Sequence, residues 1–157
     1  MKISAAKASF ERMLERLGLR RTAEPGNPTP QQKSGSLAES YAADWLQQNK
    51  GFRIVARNWR HGHGEIDLIA KDRGVLVFIE VRARSEGALV SGFHSVTKKK
   101  RTTLRRCALG YLNRCHPAPR HFRFDITEVV LNNGNVGDLR HFEHVPIFKK
   151  YDRPTHV

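Results

Sequence analysis

Between Gly64 and Arg84 the chain reads GEIDLIAKDRGVLVFIEVRAR, and no other stretch constrains its fold as tightly. Two runs with a two-residue period flank Asp72-Arg73-Gly74, a hairpin turn signal. In the second run Val75, Val77, Ile79 and Val81 form a β-branched face, while Leu76, Phe78, Glu80, Arg82 and Arg84 form the other. Apolar residues on both faces predict a central strand covered on both sides, with helices packed against each face of a sheet. Yet Glu65, Asp67 and Glu80 lie inside this apolar hairpin, and a buried carboxylate needs a cation, a proton or solvent.

Hairpin register gives these acids a geometry. A two-residue loop at Arg73-Gly74 sets Asp67 opposite Glu80, on one face, with Cβ atoms about 5 Å apart. Bare, that pair repels; with a divalent cation between the two it becomes a hard oxygen site of the kind that holds Mg²⁺. The same register sets Glu65 against Arg82, so a cross-strand ion pair plus a solvated edge carboxylate is an equally good account. A three-residue loop would send Asp67 and Glu80 to opposite faces. In the first run, Ile66, Leu68 and Ala70 share one face and Glu65, Asp67 and Ile69 the other.

The flanking sequence supplies the covering layers. Ser36, with Glu39 three residues on, has capping-box spacing, and Ala38, Tyr41, Ala42, Trp45 and Leu46 form one helical face ended by Gly51. A strand follows over Phe52–Asn58, then a polar HGHG turn at 61–64. That turn lacks the further ligands a zinc site needs. Val96, Leu104, Cys107, Ala108, Tyr111 and Leu112 mark a second helix, and Phe122–Leu131 reads as the last strand. There Arg123 and Asp125 share a face, as a structural pair or as residues that orient metal ligands. Upstream, Phe10, Met13, Leu14 and Leu17 predict an appended helix over 1–21, and the proline-rich stretch over 22–35 predicts a flexible linker. The domain should therefore span 36–148, with a frayed tail over 149–157.

Charge narrows the partner. The formal net charge of +13, from 28 Lys+Arg against 15 Asp+Glu, attracts polyanions. In KKKRTTLRR, Lys98, Lys99, Lys100, Arg101, Arg105 and Arg106 face mainly solvent on the second helix, and the first five are read as phosphate contacts. The longest strongly apolar run, VLVFI, is far short of a bilayer span, and no secretory signal pattern opens the chain. Cys107 and Cys115 make no disulfide framework. A cytoplasmic protein is expected. Nucleic acid is the expected partner, DNA first and branched DNA among its forms, with no membrane association and with homodimerisation left open.

GEIDLIA, a turn and VFIEVRAR, with LAESYAADWLQQNKGFRIVARNWR upstream and SVTKKKRTTLRRCALGYL and RFDITEV downstream, resemble the YraN-like bacterial family. That family is similar to the restriction-endonuclease-like, or PD-(D/E)XK, nucleases, archaeal Holliday-junction resolvases among them. The resemblance covers about 36–148. It implies a three-layer α/β fold with a mixed central sheet flanked by helices, and metal-dependent phosphodiester hydrolysis with Mg²⁺ or Mn²⁺. By position, Asp67 and Glu80 match the metal-binding acids, and Glu39 matches an acid that some of these nucleases bring from the first helix. Arg82 stands where the nucleases usually have Lys. Arginine stays charged and is a poor general base, but it can grip the scissile phosphate. The competing classes are a non-catalytic nucleic-acid binder with a degenerate site, and a protein-assembly module.

Overall fold

The computed structural model describes residues 29–86, 96–132, 135–149 and 152. The helix expected over 1–21 and the first half of the expected linker, 22–28, lie outside them. The described residues form two helices and five strands in the order α1 (Pro30–Lys50), β1 (Arg53–His61), β2 (Gly64–Asp72), β3 (Val75–Ser85), α2 (Lys98–Leu112), β4 (Phe122–Asn132) and β5 (Asn135–Phe142). The strands form one sheet in sequence order, antiparallel except for the parallel β3–β4 pair. Strand β3 is therefore central, as its two apolar faces require.

The layers follow from where each strand's apolar residues point. Ala38, Ala42 and Leu46 of α1 pack with Leu68, Ala70, Val77 and Ile79. On the opposite face Leu104, Cys107, Ala108 and Leu112 of α2 pack with Ile69, Phe78, Phe124 and Ile126. The result is the expected three-layer α/β sandwich around a mixed sheet. No helix among the described residues is long and apolar enough to cross a membrane.

Three local expectations are corrected. Helix α1 starts at Pro30, not near Ser36. Thr29 is its N-cap, its hydroxyl accepting from Gln32 N at 3.2 Å while Gln32 Oε1 accepts from Thr29 N at 2.8 Å. A Gln in the capping box and Pro at the first helical position carry the signal that Ser36 and Glu39 seemed to hold. Residues 30–35 thus belong to the helix and not to a linker. Strand β5 went unforeseen because only Val136, Leu139, His141 and Phe142 of it are partly covered, the pattern of a polar edge strand. The tail is also held beyond residue 148: Arg105 of α2 makes a two-point ion pair with Asp152.

The hairpin that carries the acids turns as expected. Arg73 and Gly74 have φ of 44° and 90°, the double positive φ of a two-residue hairpin loop, and the ladder runs from Asp72–Val75 to Leu68–Ile79. Face alternation in β2 does not hold. Ile66 joins Ile69 in the core under α2, while Leu68 joins the core under α1. The break falls at Asp67, beside Asn58 of β1, whose φ of 51° is left-handed, a conformation Asn tolerates well.

Candidate functional site: an acidic centre beside a basic helix

Asp67 sits where the β2–β3 ladder stops. Its Oδ2 accepts the Val81 N–H at 2.7 Å, so a side chain satisfies the donor that the next backbone pair would have used. Glu80 lies on the neighbouring strand and is only 4 % exposed. One of its oxygens, Oε1, meets Lys100 Nζ at 3.0 Å and Arg82 Nη1 at 3.6 Å. The other, Oε2, is buried with no hydrogen-bond partner. An unpartnered carboxylate oxygen in a buried position is costly unless a ligand comes to it.

The electrostatics agree with this crowding. Burial pushes the Asp67 carboxyl up to about 7, and the charges of Glu80 and then Glu39 push the same way. The Val81 N–H and the Lys100 ammonium oppose them. Asp67 thus holds a proton near neutrality that a cation would displace. Glu39, half-buried on α1, is turned to this side of the sheet, but its Oε2 accepts from Asn58 Nδ2 at 2.9 Å. Among the described residues no three Asp, Glu, His or Cys side chains gather into a ready-made metal cage. The donor set is therefore two carboxylates. That suits Mg²⁺, which commonly takes one or two carboxylates and completes its shell with water and substrate phosphate.

The alternative pairing of Glu65 with Arg82 is not formed. Glu65 Oε2 instead lies 3.0 Å from Arg60 Nε, its neighbour across β1. The adjacent strand offers a directly opposed partner, which the β2–β3 register alone could not reveal.

The basic run on α2 divides by function. Lys98 and Lys99 are exposed, and Lys100 turns inward to Glu80. Arg101 Nε donates to Val96 O at 3.2 Å, closing the loop before the helix. Arg105 is the clamp on Asp152, whose carboxyl is held below its usual range by the hydrogen bond from that guanidinium. Arg105→Ala is therefore expected to destabilise the protein by about 1–2 kcal/mol, since both partners are largely covered. It should leave the salt dependence of nucleic-acid binding unchanged; a flattened salt slope would return Arg105 to the binding surface. Arg106, outside the five expected phosphate contacts, is exposed.

Arg123 and Asp125 belong to a different part of the sheet. Arg123 Nε lies 3.0 Å from both Asp125 oxygens, and its Nη1 donates to Asp72 at 2.9 Å. Asp125 also accepts from His144 N at 3.0 Å and meets His141 Nε2 at 3.1 Å. Asp72 is at the turn end of the hairpin, five residues from Asp67 and roughly 16 Å along the strand. The pair fastens β2, β4 and the end of β5 together and does not orient the metal-binding acids.

A mixed five-stranded sheet between two helices is the architecture of a three-layer α/β domain. Residues 38–129 match the uncharacterised protein family UPF0102, and the chain belongs to that family. A UPF0102 protein of Chlorobium phaeobacteroides is 39% identical over 71% of this chain and 89% of its own. Another, from Symbiobacterium thermophilum, is 44% identical over 68% of this chain and 87% of its own. Among solved structures, the crystal structure of SSO0001 aligns with 74% of this chain and 53% of its own, at 15% identity and a TM-score of 0.32. The fold assignment rests on the chain's own topology.

Proposed function

We propose that this protein is a metal-dependent nuclease that hydrolyses phosphodiester bonds in DNA. The observation that carries the reading is the Asp67–Glu80 centre, where one carboxyl retains a proton to about pH 7 and one carboxylate oxygen is buried without a partner. Strongly perturbed carboxyls held beside a specific charge partner cluster at functional sites. Asp67 and Glu80 are the residues that would hold Mg²⁺ or Mn²⁺, which supplies Lewis-acid polarisation of the phosphate and a more acidic water. Lys100 and Arg82, both against Glu80 Oε1, present positive charge beside the position of a bound phosphate. Their charge stabilises the dianionic transition state where it develops. Glu39 acts through Asn58 and through its field on Asp67. The +13 charge supports a polyanionic substrate.

One observation favours the competing reading of a non-catalytic nucleic-acid binder. Lys100 and Arg82 already counter the Glu80 charge from within the protein, and Arg82 replaces the superfamily's usual lysine. The two readings separate in one assay. Labelled duplex, single-stranded and four-way-junction DNA, with RNA alongside, are incubated with the protein in Mg²⁺, in Mn²⁺ and in EDTA. Cleavage that needs the metal and disappears in Asp67→Asn supports the nuclease. Binding without cleavage under every metal condition would leave the binder.

A further inference from the structure

One feature of α2 points away from the acids. The β1–β2 connection and α2 flank an open pocket of about 550 Å³, lined by His61 at the end of β1, by His63 of the turn, and by Lys99, Thr103, Arg106, Leu109 and Asn113 from the helix and its C-cap. Lys99 and Arg106 are both exposed and lie two helical turns apart, about 10 Å. Among the described residues, no acidic side chain lines the pocket. Every polar side chain in it can donate a hydrogen bond, and two are fixed cations.

The walls are held firmly. The His61 ring lies against Gly110 with no room for a Cβ there, and a Cβ on Gly64 would come within 3.0 Å of Thr103 Cγ2 and 3.1 Å of Cys107 Cβ. Two glycines thus let this connection settle on the helix backbone, which holds the exposed His61 ring against Gly110. Such preorganisation reduces the ordering that a ligand must impose. Position matters as well as chemistry. Gly64 opens β2 at the pocket floor, and Asp67 lies three residues further on, roughly 10 Å along the strand. That separation is about three phosphate steps of one strand along a duplex axis.

From this geometry we infer that the pocket between the β1–β2 turn and α2 is a phosphodiester-backbone seat, which holds the nucleic-acid strand where it flanks the acidic centre. Lys99 and Arg106 neutralise its phosphates, while His61, His63 and Asn113 donate hydrogen bonds to their oxygens. The placement relative to the scissile bond rests on the nuclease reading; the binding itself does not. It also divides α2 by role, with Lys100 serving the acidic centre and Lys99 and Arg106 the flanking strand.

The test is fluorescence anisotropy of the full-length protein with a labelled DNA duplex in EDTA, over a series of salt concentrations. Lys99→Ala/Arg106→Ala should reduce the slope of log K against log salt by about 1.8, two phosphate contacts' worth, without lowering the melting temperature. Arg53→Ala/Arg73→Ala removes the same charge at the far end of the sheet, where Arg53 pairs with Lys71 and Arg73 forms the hairpin turn, and should leave the slope as it was. His63→Ala should weaken binding several-fold with the slope retained. A slope unchanged in Lys99→Ala/Arg106→Ala, or reduced equally in both double variants, overturns the seat; so does an intact protein with no affinity for the duplex. A reduced slope in the first variant alone, in a protein that never cleaves DNA, upholds the seat and discards the nuclease reading.

Discussion

Asp67→Asn is expected to make the metal-free protein more stable by about 2–4 kcal/mol at pH 8, while abolishing stabilisation by Mg²⁺ or Mn²⁺ and any cleavage. The carboxyl's affinity for its proton is raised on folding, from the ordinary 3.8 to about 7. Between these values the folded state binds more protons than the unfolded one, so this group makes stability fall as pH rises from about 4 to about 7. Below that window both states are protonated and there is no penalty; above it the penalty is complete. Asparagine imitates the protonated form, and its side-chain oxygen can still accept from Val81 N, so that hydrogen bond survives. The full shift, about three pH units, sets a ceiling near 4 kcal/mol, which relaxation of Lys100 toward Asp67 would lower.

The metal response has the same origin. A cation bound by Asp67 and Glu80 displaces the proton, so its apparent affinity should rise with pH up to about 7 and its presence should raise the melting temperature by mass action. Thermal melts of both proteins from pH 5 to 8, with EDTA and with each metal, measure all of this. If the variant melts with the wild-type pH profile and still responds to metal, Asp67 does not belong to the centre.

Lys100→Ala should reduce metal-dependent cleavage by 100-fold or more, the usual consequence of removing one preorganised positive or hydrogen-bonding group from a developing charge. The substitution also leaves Glu80 with Arg82 alone, at 3.6 Å, as its close counter-charge. Stability should fall by only about 1 kcal/mol, because the ammonium is 40% exposed and its contribution is screened by water. Lys100→Arg keeps the charge and should recover part of the activity, and Arg82→Lys should not compensate for the loss. If Arg82→Lys restored full cleavage in the Lys100→Ala background, the phosphate-facing charge would belong to β3, as in the nucleases this chain resembles. Activity unaffected by Lys100→Ala would make the 3.0 Å contact with Glu80 a structural ion pair and nothing more.

Why the sequence sets Asp67 beside Glu80 but leaves open whether Lys99 or Lys100 approaches them is a matter of range. Asp67 and Glu80 are joined by one short loop, and a two-residue turn admits a single register, so counting along the chain places one acid beside the other. Lys100 reaches Glu80 from a helix that begins at Lys98, with 87–95 between β3 and the described part of that approach. No counting rule relates a helix face to a strand position across that interval. The same limit explains Arg105 and Asp152: a basic residue in a basic run looks like a phosphate contact until the chain's end folds back to it. The β2–β3 register offers Glu65 only Arg82, as one of two equal accounts, and the assembled sheet brings Arg60 to 3.0 Å instead.

Local physics, then, determined the elements. Alternating apolar residues, the Arg73-Gly74 turn, the α1 face through Ala38, Ala42 and Leu46, and the doubly apolar β3 already specified a sheet covered on both sides, with two acids at its centre. The tertiary structure decided which side chains share a volume. It broke the alternation at Asp67, turned Lys100 inward, gave Arg105 and Arg123 to structural ion pairs, and gathered Lys99, Arg106 and the two histidines around one pocket. Periodicity and turn chemistry act over a few residues, whereas charge pairing and desolvation depend on distances set only when separate elements pack together.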